Sequence, residues 1–308
     1  MIELLSEEKI RSCDYLRIQS EFRDIWNQMF LNKDRIDRVL FRRLGPFWPF
    51  GEAILKSRLR NPSIAIGLIP KMGGAPVTSW GILQENQVVL GRNWEYPWAI
   101  LNSNISVDTK ILDVGSGVSL FPLYLARISR KVDSIDPNEF QMKILAPLLA
   151  DIVKLKVNFS VGNALNLSAE DNTYDYVFSI SVLEHLEQKM ENGILINKHA
   201  QKLDRIAIRE FIRVIKPGGR VILTLDYGNK NLCTDWIQCS FEFEYVKDLI
   251  EEFSANLVKP LQNIDDIRLT TEREREVIKL WSEFYPYVPQ EKPRFGTGLG
   301  IILTKRSI

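Results

Sequence analysis

The 308-residue sequence predicts an α/β protein built on a doubly wound, mostly parallel sheet, with a mainly helical N-terminal extension. Two observations carry that expectation. From Lys110 onward, short apolar runs alternate with helix-period stretches, the pattern of βαβ units joined by right-handed crossovers. The first of those runs, Ile111-Leu112-Asp113-Val114, passes through Gly115-Ser116-Gly117-Val118-Ser119 into a helical pattern beginning at Leu120. A buried strand, a tight glycine turn and a helix N-terminus read in this way.

In chain order, residues 1–44 are dense in charge, and Ile18, Phe22, Ile25, Trp26 and Met29 share one helical face that Ile36, Val39 and Leu40 continue. Two helices are expected there, stopped at Gly45-Pro46. Phe47-Trp48-Pro49-Phe50-Gly51 is either a loop pinned to the core by its rings or a wall over a ligand site. Residues 61–91 contain Pro70, Gly73, Gly74 and Pro76 and read as irregular, with a weak strand pair at 82–83 and 88–90. Arg92-Asn93-Trp94-Glu95-Tyr96-Pro97-Trp98 leads into a short helix over 96–102, whose rings either pack it on the sheet or cover a ligand.

Strand 110–114 then precedes a helix over 120–129, with Ser119 as its N-cap and Pro122 in its first turn. Strand 131–135, helix 139–152 and strands 157–161 and 176–180 follow. A helix starts near Val182, and residues 187–202 are a charged insertion. Helix 203–215, the turn Lys216-Pro217-Gly218-Gly219 and strand 220–225 complete the regular part. Beyond Asp226 the sequence supports helices over 243–253 and 265–285, a proline-rich loop, and a last strand over 299–305. We divide the chain into an extension, 1–93, and a sheet domain, 94–308, with insertions near 187–202 and 228–298.

Forty basic residues against thirty-nine acidic ones give a net charge of +1, which speaks against nucleic acid as a partner. Cys13, Cys233 and Cys239 match no zinc spacing and form no disulfide framework, as in a reducing compartment. With two histidines, His185 and His199, no metal site is expected. Neither a signal peptide nor an apolar run of the ~18 residues needed to span a bilayer is visible. The expectation is a cytoplasmic enzyme.

The glycine turn could hold the pyrophosphate of NAD or FAD, whose fingerprint is G-x-G-x-x-G. Here Leu120 stands where the third glycine belongs, Asp113 would repel a pyrophosphate, and a long segment precedes the turn. An acid beside the glycines suits a ligand with a cationic end. Asp136, closing the next strand, suits ribose hydroxyls, although it could instead cap the helix that follows. Together they describe a nucleoside with a positively charged tail.

On these residues the chain resembles the class I S-adenosylmethionine-dependent methyltransferases, over about 94–308 and most strongly over 111–225. The resemblance implies a Rossmann-like methyltransferase fold with a seven-stranded sheet, S-adenosyl-L-methionine as cofactor, and methyl transfer as the activity. It implies that Asp113, Gly115 and Gly117 cradle the methyl donor, with Ser119 where a third small residue is usual, and that Asp136 binds the ribose. Asn163, with Ala164 beside it, stands where an aspartate commonly meets the adenine amino group; the duller reading is a turn residue. Ser179 and Ser181 fall where the methionine moiety is contacted, and Lys216-Pro217-Gly218-Gly219 carries over as structural only.

Val182-Leu183-Glu184-His185-Leu186 matches a Leu-Glu-His step of quinone and sugar methyltransferases, so His185 is either a general base or a positioning residue. Some relatives bind a divalent metal with a Glu-Glu-His set; Ser181 occupies the first of those positions, which argues against a metal. Sites of such sheets lie beyond the strands' carboxyl ends, which places Ser181, Glu184, His185, Asp226 and Tyr227 near the substrate mouth. Phe47, Trp48, Phe50, Trp236, Trp281, Phe284 and Tyr285 either stack on an acceptor or belong to the core. The acceptor expected is a small molecule, a sugar or glycan ahead of a lipid or quinone. A methyltransferase-like binding protein without catalysis and an NAD-dependent oxidoreductase are the alternatives.

Overall fold

The computed structural model describes residues 1–4, 7–32, 35, 94–186, 188–191, 194–197, 202–228, 233–234, 238–239, 241–253, 267–268 and 297–307. Seven strands form one sheet: β1 (Ile2–Leu4), β2 (Lys110–Val114), β3 (Lys131–Asp136), β4 (Asn158–Val161), β5 (Tyr174–Ile180), β6 (Ile215–Tyr227) and β7 (Thr297–Thr304). Their order is β1-β7-β6-β5-β2-β3-β4. The β2–β3, β2–β5, β3–β4 and β5–β6 pairs are parallel, whereas β7 runs antiparallel to β6 and to β1. The chain moves outward from β2 through β3 to β4 and returns to the other side of β2 for β5. That reversal leaves a crevice at the carboxyl ends of β2 and β5, where ligands of open α/β sheets bind.

The helices are α1 (Glu7–Ile10), α2 (Cys13–Phe30), α3 (Glu95–Leu101), α4 (Phe121–Ile128), α5 (Ala146–Ile152), α6 (Leu183–Leu186), α7 (Leu203–Val214) and α8 (Phe243–Phe253). Successive strand residues face opposite ways, so the sheet carries a core on each side. Ile111, Phe178 and Ile222 belong to the same cluster as the buried residues of α2, α3 and α4. Their neighbours Leu112, Val177 and Leu223 belong to the other cluster, with those of α7 and α8.

The apolar stripe of α2 behaves as its spacing requires. Ile18, Phe22, Ile25, Trp26 and Met29 are all buried. Phe22 stacks on Tyr96 at 5.0 Å and on Tyr124 at 4.4 Å, which joins the N-terminal helix to α3 and α4. Burial of each such side chain stabilises by about 1.5–3 kcal/mol. Trp94 and Trp98 are also buried and stack on each other at 5.5 Å. Of their two expected roles, both rings pack α3 into the core.

Five local expectations change. Residues 2–4, read as part of a helical extension, form the edge strand β1 against β7, with Ile2 opposite Ile301. Residues 141–145 are a π-turn preceding α5. Pro147 lacks the amide hydrogen an α-helix would use there, and a wider turn ahead of it takes up the mismatch. The N-cap position of α4 is Leu120; the Ser119 hydroxyl instead accepts the Phe121 amide at 3.4 Å. The turn Lys216-Pro217-Gly218-Gly219 is a bulge within β6, because Tyr174 pairs with Ile215 but Tyr176 with Arg220. A Cβ on Gly219 would lie 2.8 Å from the Lys216 carbonyl oxygen, so glycine is required. The charged insertion contains an antiparallel hairpin, Gln188–Glu191 against Ile194–Asn197.

The aromatic cluster at 47–50, the strand pair at 82–90, His199, Trp236, Trp281, Phe284 and Tyr285 lie outside the described residues, as does the 265–285 helix except for residues 267–268. Among the described residues no helix is long and apolar enough to cross a membrane.

Candidate active site

The loop after β2 is built from two left-handed glycines, with φ of 72° at Gly115 and 53° at Gly117. The amides of Gly115 and Ser116 both donate to the Ile135 carbonyl, at 2.8 and 3.3 Å. A Cβ on Gly115 would meet Val182 at 2.6 Å, so this position is closed both by conformation and by space. On Gly117 the nearest atom to such a Cβ is Gln141 Oε1 at 3.5 Å; there the backbone alone asks for glycine. Below the turn, Ser134 Oγ donates to Ser116 Oγ at 2.7 Å.

Asp136 closes β3 and ties two loops together. Its Oδ2 accepts the Gly117 amide at 3.0 Å and its Oδ1 the Asn138 amide at 2.8 Å. Asn138, not Asp136, reaches into the following helix, accepting the Gln141 amide at 3.1 Å. Each Asp136 oxygen keeps acceptor capacity beyond these amides, as a ribose diol requires. Burial pushes the Asp136 carboxyl up, against the lowering effect of the two amides.

Asp113 is 2% exposed, and its Oδ2 has no hydrogen-bond partner. Burial, and secondarily the charge of Asp136, push its carboxyl up to about 8. A buried, unpartnered carboxyl oxygen near a second acid favours a positive charge brought to it, since that charge offsets the cost of ionising it. Asp113, Asp136 and the open side of Gly117 thus fit S-adenosyl-L-methionine, whose methionine end is cationic.

At the end of β4, Gly162 donates to the Asp136 carbonyl at 3.1 Å, and Ala164 is buried. Asn163 is exposed, and its Oδ1 accepts the Leu165 amide at 2.9 Å. The turn role anticipated for Asn163 is therefore present, and the oxygen expected beside adenine also serves that turn.

At the end of β5, Ser179 is fully buried with an unpartnered hydroxyl. Ser181 adopts φ of 52° and donates its hydroxyl to Glu95 Oε1. Thr224 Oγ1 donates to the same oxygen at 2.7 Å and accepts the Ser181 amide at 3.1 Å. Glu95 was visible in the sequence only as part of an unusual aromatic run. Its partners lie 86 and 129 residues away, a separation that no local pattern reports. Glu184 is fully buried, while His185 is exposed. Tyr227, at the end of β6, is buried and donates its hydroxyl to the Ile267 carbonyl at 2.9 Å, so it faces the protein.

Residues 112–223 match a family described as methyltransferase domain. Norajmaline N-methyltransferase of Rauvolfia serpentina is 32% identical over 125 residues, 40% of this chain and 37% of its own. Ajmaline N-methyltransferase of the same plant is 33% identical over 117 residues, 37% of this chain and 34% of its own. Tocopherol O-methyltransferase of Arabidopsis thaliana is 29% identical over 116 residues, 37% of this chain and 29% of its own. The chain spans little more than a third of these curated relatives at most.

The matched region, the strand order and the glycine turn define the class I methyltransferase fold. Residues 112–223 therefore match a methyltransferase domain, and the acids and glycines of the turn fit S-adenosyl-L-methionine as its cofactor.

Proposed function

We propose that the protein transfers a methyl group from S-adenosyl-L-methionine to a small-molecule acceptor. The observation that carries this reading is the unpartnered Asp113 Oδ2, buried beside a glycine turn that Asp136 holds closed. When bound, the cofactor supplies a methyl group on a sulfonium, whose leaving group is a neutral thioether. The chain then has to hold and align the reactants and exclude water. Asp113, Gly115 and Gly117 seat the methionine end, Asp136 the ribose hydroxyls, and Asn163 and Ala164 the adenine. Ser179, at the carboxyl end of β5, serves the methionine moiety in this reading, and Ser181 shapes the corner that follows, its hydroxyl braced by Glu95.

For the acceptor we place an amine nitrogen ahead of a sugar or glycan hydroxyl. Two of the relatives above carry N-methyltransferase names. A neutral amine attacks with its own lone pair, whereas a hydroxyl needs a base as its bond forms. His185, the candidate base, is exposed at the strand ends, so a hydroxyl acceptor would have to reach it there. The test is S-adenosylhomocysteine release measured over a panel of cyclic amines, free sugars and glycan oligomers. Turnover with amines alone supports the proposal. Turnover with sugars alone restores the hydroxyl reading, and cofactor binding with no turnover on any panel member favours a non-catalytic binding protein.

A further inference from the structure

The buried ring formed by Glu95, Ser181 and Thr224 draws together α3, the end of β5 and β6. Glu95 is 1% exposed and opens α3, ahead of β2. Its Oε1 accepts two hydroxyls, from Ser181 and Thr224. Thr224 in turn accepts the Ser181 amide through Oγ1 and through its carbonyl oxygen, both at 3.1 Å. All of this converges on a serine held at φ of 52°, a conformation that L-residues other than glycine adopt only when their surroundings impose it. The next residue, Val182, occupies the space a Cβ on Gly115 would fill. The corner after β5 is therefore the wall against which the glycine turn rests.

We propose that Glu95 is a positioning residue for the cofactor: by bracing Ser181 in its left-handed corner it presses Val182 onto Gly115 and sets the shape of the glycine turn, without touching the ligand. The inference rests on the reading of that turn as the S-adenosylmethionine cradle. It separates the hydroxyl of Ser181 as a brace from the same hydroxyl as a ligand contact.

The experiment is calorimetric titration of S-adenosylhomocysteine into the wild-type protein and the variants Ser181→Ala, Ser181→Gly, Glu95→Gln, Glu95→Ala and Glu95→Ala/Ser181→Gly. Alanine meets the same left-handed penalty without the brace that offsets it, and we expect about tenfold weaker binding, the scale of that penalty for a residue with a Cβ. Glycine adopts that conformation freely, so Ser181→Gly should stay within about threefold of wild type. Glu95→Gln, whose amide oxygen accepts the same two hydroxyls, should bind as wild type does. Ser181→Gly should also rescue the loss of Glu95 in the double variant. Equal losses for Ser181→Ala and Ser181→Gly would overturn the proposal and make the hydroxyl a ligand contact. Unchanged binding in Ser181→Ala would overturn it as well. Failure of the wild-type protein to bind at all would refute the cradle itself, which is a distinct outcome.

Discussion

Asp136 Oδ2 accepts the amide of Gly117 at 3.0 Å, so the residue expected to hold the ribose also holds the glycine turn closed. Asp136→Ala removes both that bond and the one to Asn138. A hydrogen bond to a charged group is worth about 1.5–3 kcal/mol, so loss of one ribose contact should lower S-adenosylhomocysteine affinity roughly tenfold to 150-fold. Calorimetry reads this directly, and an unchanged affinity would remove Asp136 from the site.

Burial and Asp136 push the Asp113 carboxyl up to about 8 in the folded protein. A folded-state value above the unfolded one means the native state holds the proton more tightly. Stability from this group is fully present below about pH 4 and is lost as the pH rises through about 8. Ligand-free protein should therefore melt at progressively lower temperature over that window, and Asp113→Asn should flatten the slope. A cationic ligand favours the ionised form, so binding at pH 7 should release a proton. Titrations in two buffers of different ionisation enthalpy would show the release, and its absence would separate Asp113 from the ligand's charge.

Gly300 of β7 lies under the ring of Trp98, where a Cβ would come within 2.5 Å of Trp98 Cζ2. Trp98 is fully buried, and its Nε1 donates to Glu3 Oε2 at 3.1 Å. The ring therefore has little room to yield. Gly300→Ala should cost about 1–3 kcal/mol, a cost typical of overpacking. Thermal melts should show a lower Tm, partly restored in Gly300→Ala/Trp98→Phe, where the ring is smaller. A Gly300→Ala variant as stable as wild type would contradict this packing.

What the sequence made legible follows from which interactions are local. Strand 110–114 and helix 243–253 have the expected bounds, because apolar period and flanking turns mark them within a few residues. The same holds for the buried face of α2. The two acids and two glycines of the proposed cofactor loop were readable for a similar reason, each standing at or just beyond a strand end. β1 was not readable: three residues are too few to show a period, and the strand exists because β7 offers it an edge. Pro147 was in plain view, yet its effect on the preceding turn depends on the helix around it. Glu95 was hidden by distance, since its role appears only when β5 and β6 bring Ser181 and Thr224 to it.

The most direct test of the central claim is a paired titration of the wild-type protein with S-adenosylhomocysteine and with NAD. Saturable one-site binding of S-adenosylhomocysteine, lost in Asp136→Ala, with no heat from NAD, is the predicted result. Binding of NAD without S-adenosylhomocysteine would contradict the account and return the glycine turn to the dinucleotide enzymes.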